Sequence, residues 1–268
     1  MKKLKIFCVT NEQRKYLENL PIILAGVGKK KFSKKYISCL KGKNIQKKEQ
    51  YYSELTFHYW YWKNKLKNEN ENTWIGFSQK RRFWIKNNRR IKTLSDLRKN
   101  ILHKAPNYWE KYESIICKPI FVQNPKKMKL LKRGWKNILM DPSVLINEKK
   151  RNIELQFDMH HGYKILEKSI DYLKQEDKLK FRKFIKTETK FNPHIMFISK
   201  KKILNKWFED LFSWLFKCEK KFGTKTLKGY DQKRLYAYLA ERYLSYWFKK
   251  NTKYLEYNWT FFEKKNEI

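Results

Sequence analysis

Leu4-Lys5-Ile6-Phe7-Cys8-Val9-Thr10 and Thr73-Trp74-Ile75-Gly76-Phe77-Ser78 decide the fold class, because each is a short apolar run that stops at polar residues. The first ends at Asn11-Glu12-Gln13, and the second runs straight into Gln79-Lys80-Arg81-Arg82-Phe83. A third run, Pro21-Ile22-Ile23-Leu24-Ala25-Gly26-Val27-Gly28, is bounded by Pro and Gly. Such runs read as buried strands. A weaker strand covers 114–122, ended by Asn124-Pro125, while Lys29 to Lys48 reads as a lysine-rich surface excursion without core. Leu55, Tyr59, Trp62 and Leu66 recur at spacings of four, three and four, which predicts a helix over 50–66 with one apolar stripe. Further helices are predicted over 163–185, 202–222 and 231–249, with 191–199 as loop and strand. With no repeat and no Ser/Gly-rich linker, the expectation is one α/β domain over 1–268, its strands early and its C-terminal half helical.

Composition sets the limits. Hydrophobic residues are 41% of 268, with 10 Trp, 17 Tyr and 18 Phe, so an intrinsically disordered chain is excluded. No run approaches the ~18–20 apolar residues of a membrane span. Met1 to Val9 lacks the apolar stretch and cleavage site of a secretory signal, so the expected compartment is the cytoplasm. A formal charge of +38 draws polyanions, whether nucleic acid or an anionic membrane face. Only 11 of the 64 basic residues are Arg, however. Abundant Lys, Asn, Ile, Phe and Tyr follow A/T-rich codons, which weakens a nucleic-acid reading. Cys8, Cys39, Cys117 and Cys218 form no Cys-x-x-Cys pair, which excludes zinc-ribbon and thioredoxin motifs. Cys8 and Cys218, in apolar periodic segments, are expected to be buried and reduced.

The sequence lacks Gly-x-x-x-x-Gly-Lys-Ser/Thr, Gly-x-Gly-x-x-Gly, Gly-x-Ser-x-Gly and His-Glu-x-x-His. His160 and His161 are adjacent, so they diverge on a regular element and no metal site is assigned. Four segments place polar groups among aromatics. Glu54 and His58 sit one turn apart on one edge of the otherwise apolar 50–66 helix; the alternative is a capped, solvent-edged core helix. Arg81 and Arg82 stand at the carboxyl end of a buried strand, where α/β sheets bind ligands and guanidinium groups grip phosphate; the alternative is a surface salt bridge. Asp158, read as a loop residue after a strand, is flanked by Phe157 and Met159, apolar surroundings that raise a carboxyl pKa and suit it to base chemistry. The alternative is a helix cap. Asp231, Arg234, Tyr238, Glu241 and Ser245 form a polar stripe beside Leu235, Leu239 and Tyr243; it reads as a surface ion-pair ladder, except that Glu241 and Arg242 sit among large aromatics.

Tyr52-Ser53-Glu54-Leu55-Thr56 with Tyr59-Trp60-Tyr61-Trp62-Lys63-Asn64, Gln79-Lys80-Arg81-Arg82-Phe83, Asn192-Pro193-His194-Ile195-Met196-Phe197-Ile198 and Ala240-Glu241-Arg242-Tyr243-Leu244 stand in this order. Together they resemble a bacterial family from capsule, O-antigen and lipopolysaccharide gene clusters, long labelled a domain of unknown function and regarded as glycosyltransferases. The family pattern has Tyr where Lys80 stands and Asn where Ile195 stands. The resemblance implies a Rossmann-like GT-A type fold with a mixed, mainly parallel sheet. It also implies transfer of a sugar from a nucleotide diphosphate donor, a UDP-sugar first, to a glycan or lipid-linked glycan at the inner face of the plasma membrane. Thr10, Gln79, Arg81 and Arg82 are then expected at the donor; Asp158 as catalytic base with Glu241 second; and Glu54, His58, His194, Asp231, Arg234 and Arg242 on the acceptor side or behind it. No Asp-x-Asp is present, so no cofactor is firmly implied. Either one carboxylate holds a divalent metal, Mn or Mg, or the two arginines supply the positive charge. The alternative function is a non-enzymatic nucleic-acid binder with a basic, aromatic-rich surface. Aromatics at helical spacing argue for core instead.

Overall fold

The structure, a computed structural model, describes residues 3–264. Its strands are β1 (Leu4–Thr10), β2 (Ile23–Gly26), β3 (Tyr36–Ser38), β4 (Trp74–Gln79), β5 (Arg82–Trp84), β6 (Ser114–Cys117), β7 (Ile120–Phe121), β8 (Lys190–Phe191), β9 (Phe197–Ser199), β10 (Tyr254–Tyr257) and β11 (Trp259–Phe261). The main sheet has the order β10-β6-β9-β4-β1-β2-β3, with β5 added to β4 and β11 to β5. β1 runs parallel to β2 and β4, β2 to β3, and β10 to β6, whereas β9 is antiparallel to both neighbours. The fold is α/β with a mixed, mainly parallel central sheet, as the sequence predicts.

The described chain divides into two compact units, one of residues 3–118, 194–210 and 247–264, the other of 119–193 and 211–246. The first holds the whole main sheet. From Ile6 to Val9 β1 is apolar on both faces of its period-2 pattern, because both faces of the sheet are covered there. On one face Phe7 and Phe77, paired in register and 5.9 Å apart, meet Phe57 and Tyr61 of the helix Leu55–Asn64. On the other, Ile6 and Trp74 pack with Trp84, Trp109, Ile115 and Ile198. Gly76 lies between Ile6 and Ile198 in register; a Cβ there would stand 2.6 Å from the Ile198 side chain, so only glycine lets β9 close on β4.

The second unit contains the two-stranded antiparallel β7-β8 sheet and a set of helices that includes Lys127–Arg133, Trp135–Met140, Ile153–His161, Ile165–Ser169 and Gln175–Thr187. Leu130, Val144, Leu155 and Met159 make one buried cluster. A second forms where Phe181 packs against Trp214, Tyr243 and Tyr246. Asp177, 3% exposed, is tolerated among these rings because the Tyr246 hydroxyl donates to it at 2.7 Å and the Tyr243 hydroxyl at 3.4 Å.

Several predicted elements are cut where the backbone turns. The 50–66 helix is two pieces, Glu49–Tyr52 and Leu55–Asn64, separated at Ser53, whose φ of 52° no helix contains. The 231–249 helix breaks at Arg234 into Gly229–Lys233 and Leu235–Asn251, and 163–185 becomes Ile165–Ser169 and Gln175–Thr187. Lys29 to Lys48 is not a bare excursion, because it carries β3 with Tyr36 and Cys39 buried. All four cysteines are buried and none is in a disulfide. No helix of the described residues is long and apolar enough to cross a membrane.

Candidate active site

In the first unit the parallel strands β1, β2, β3 and β4 finish at one edge, where Thr10 pairs with Gly26, Gly26 with Ser38 and Val9 with Gln79. Ligands of α/β sheets bind outside this carboxyl edge. Thr10 turns the chain there: its Oγ1 donates to the Glu12 carbonyl at 2.6 Å and accepts from the Glu12 N–H at 3.1 Å. That turn presents the Glu12 carboxylate to Lys80 Nζ at 2.7 Å and to the Arg14 guanidinium. The hydrogen bond from Lys80, with help from Arg14, pulls the Glu12 pKa down to about 2. Lys80, the departure from the family pattern, therefore has its own carboxylate partner. Sequence reasoning missed Glu12; the signal was a carboxylate placed two residues beyond the first strand.

β4 and β5 form a tight hairpin with Lys80 and Arg81 at its tip and Gln79 opposite Arg82. Gln79 Nε2 donates to the His194 carbonyl at 2.7 Å, and Arg82 Nη1 donates to Gln79 Oε1 at 3.3 Å. Arg81 and Arg82 each place the guanidinium carbon 5.8 Å from the ring centre of Phe261, which β11 brings opposite Arg82. Arg81 is 3.3 Å from Glu263, the surface ion pair, and keeps 34% of its side chain exposed. His194 and Ile195 take φ of 75° and 51°, two successive left-handed non-glycine residues that cost about 1–3 kcal/mol each. The strain turns the His194 carbonyl toward Gln79 and sets its ring edge-on to Trp259 at 4.5 Å.

The second unit gathers the other group. Asp158 lies within the helix Ile153–His161, not in a loop after a strand, because Asn152 caps that helix and the apolar side chains Leu155, Phe157 and Met159 are buried along it. Burial pushes the Asp158 pKa up to about 6, against hydrogen bonds from Asn137 Nδ2 and the Lys164 N–H, both at 2.9 Å. The second of these ties Asp158 to Lys164, the residue that precedes the Ile165–Ser169 helix. Arg242 is 1% exposed, its guanidinium 4.2 Å from the Phe191 ring and 5.6 Å from Phe157. Nη2 donates to Gln156 Oε1 at 2.6 Å and Nη1 pairs with Glu241. Burial lowers the Arg242 pKa. His161 stacks on Tyr238 at 3.6 Å and meets the Asp231 carbonyl at 2.9 Å.

Three predicted residues land elsewhere. His58 is 1% exposed and caged by Phe77, Phe197 and Phe208 at 4.2, 5.5 and 6.1 Å, so burial drives its pKa down to about 3. It is a core residue, whereas Glu54, one turn away, is partly exposed. Asp231 and Arg234 do not form the expected ladder. Asp231 pairs with Arg133 at 3.3 Å, and Arg234 packs on the Tyr230 ring at 4.6 Å. Among the described residues no group of three His, Cys, Asp or Glu side chains could hold a metal ion, so no metal ligand is assigned.

The GT-A-like architecture is shared with a solved structure, the apo form of WbbM, a bifunctional glycosyltransferase, at a TM-score of 0.67 and 18% identity. The alignment takes in 98% of this chain and 46% of that one, so the chain spans about half the length of that protein. No curated protein matches the sequence. Residues 5–252, a range with parts of both compact units, match one family model, and the chain belongs to that family, described as Domain of unknown function (DUF4422).

Proposed function

We propose that the chain is a glycosyltransferase that moves a sugar from a nucleoside diphosphate donor, a UDP-sugar first, to a cell-surface glycan, lipid-linked at the membrane face. The observation that carries this reading is the carboxyl edge of β1 and β4. On a GT-A-like fold it brings Thr10, Gln79, Lys80, Arg81 and Arg82 to the place where α/β sheets hold nucleotides. In the proposed reaction the bond between the sugar's anomeric carbon and the diphosphate oxygen breaks, and the acceptor hydroxyl oxygen bonds to that carbon. The charge that builds on the leaving diphosphate is met by Arg81 and Arg82, whose planar forks suit phosphate oxygens. Should the sugar's configuration invert, the acceptor proton goes to a carboxylate, and Asp158, with a pKa near 6, is largely ionised yet basic at neutral pH. Glu241 then holds Arg242 in place.

A nucleic-acid binder would need its aromatics on the surface. Trp74, Trp84, Trp109, Trp207, Trp214 and Trp247 are instead fully buried. The test is thermal stabilisation by a panel of nucleoside diphosphates against oligonucleotides at several salt concentrations, followed by a donor screen read by product mass. A diphosphate-selective shift supports the proposal; stabilisation by oligonucleotides alone contradicts it.

A further inference from the structure

Residues 126–146 of the second unit present apolar side chains in two directions. Leu130, Ile138 and Val144 turn inward onto Leu155 and Met159. Met128, Leu131, Trp135, Leu139, Met140 and Ile146 stand in solvent, the last three 72%, 76% and 85% exposed. This one stretch holds half of the large apolar side chains exposed among the described residues. Such residues scattered singly need no explanation, but a cluster of them marks an interaction surface.

The charge around the cluster says what covers it. Lys126, Lys127, Lys129, Lys132, Arg133 and Lys136 are all exposed, and no carboxylate occurs between Asn124 and Met140. The next acid, Asp141, is bound to Lys150 at 2.7 Å. A second copy of this chain would bring an equally cationic surface against it and be repelled. A bilayer with anionic headgroups complements both features: lysines meet phosphates while Trp, Leu and Met enter the apolar boundary, with the lysine stems lying along it.

We propose that the 126–146 surface is a membrane-docking element that inserts Trp135, Leu139 and Met140 into the interface of an anionic bilayer. The proposal rests on the reading of a lipid-linked acceptor and names the surface that would meet it. Because the test contains neither donor nor acceptor, its failure is distinct from failure of the donor site.

The full chain is mixed with vesicles of phosphatidylcholine alone or with phosphatidylglycerol, and bound protein is read by flotation. The comparison is with a variant carrying Trp135→Ser, Leu139→Ser and Met140→Ser, three exposed positions whose change leaves the net charge at +38. Wild type is expected to float with the anionic vesicles and the variant to partition roughly tenfold less or weaker. In addition, lipids brominated on the acyl chains are expected to quench the wild type more than Trp135→Phe. Equal flotation of wild type and variant would show that charge alone attracts the chain and would overturn the proposal. A wild-type dimer that the variant dissociates, with vesicle binding unchanged, would assign the surface to a second copy instead and equally overturn it.

Discussion

Replacing His58 by Leu removes one titrating group from the aromatic cage of the first unit. The cage holds the imidazole neutral, with Nδ1 buried and without a hydrogen-bond partner. The unfolded chain takes up a proton near the ordinary value of 6.5, whereas the folded state resists until about 3. The unfolded state therefore binds more protons in that window. Stability from this residue is complete above pH 6.5 and is lost as pH falls toward 3. At about 1.36 kcal/mol per pH unit, the loss between pH 6.5 and 5 comes to about 2 kcal/mol. Urea titrations of wild type and His58→Leu at pH 7.5, 6 and 5 measure it. Over the acid part of this range the wild type is expected to fall about 2 kcal/mol further than the variant. At pH 7.5 the two should differ little, because the lost ring contacts offset the removal of an orphaned polar atom, worth about 1–3 kcal/mol. Parallel pH profiles would show that His58 is solvated, and the assignment to the core would fail.

Arg242→Ala is expected to destabilise by about 3–5 kcal/mol, since it empties the space beside Phe191 and leaves the Gln156 amide without its donor; chemical denaturation measures the loss, and a change under 1 kcal/mol would place Arg242 at the surface. Asp158→Asn keeps the shape of the carboxyl but cannot take the proton. With an identified donor, wild-type kcat should rise through pH 6 and the variant should lose roughly tenfold or more, whereas turnover within about threefold of wild type, well under 1 kcal/mol of barrier, would leave Asp158 only its contacts with Asn137 and Lys164. If Arg81 and Arg82 supply the charge at the diphosphate, turnover should survive EDTA; activity lost to chelation and restored by manganese would refute that assignment.

What could be read from sequence follows from where each signal lives. β1 has the bounds that its apolar run predicts, because a strand covered on both faces is apolar at consecutive positions, here Ile6 to Val9. β3 was hidden, since a three-residue strand with one buried side chain among lysines carries no pattern. Asp158 was misplaced in a loop because the nine-residue helix around it has apolar residues at 153, 155, 157 and 159, an alternation that imitates a strand. The hairpin arginines were legible because they directly follow a buried strand. Their setting was not: Phe261 and Glu263 arrive from the other end of the chain, and Glu12 reaches Lys80 across 68 positions. Local pattern cannot report contacts of that range, nor the left-handed pair His194 and Ile195, where the β-branched Ile195 is among the residues least suited to positive φ.

Calorimetry of nucleoside diphosphate binding to wild type, Arg81→Ala and Arg82→Ala tests the proposed donor site most directly. A charge-assisted contact contributes about 1.5–3 kcal/mol, so at least one variant is expected to bind roughly 10- to 150-fold more weakly. Both should retain the wild-type circular dichroism spectrum, since each guanidinium lies at the edge of the β4-β5 hairpin and not in the core. Equal affinity in all three proteins, or no nucleoside diphosphate binding by the wild type at any salt concentration, would contradict the assignment of this edge as the donor site.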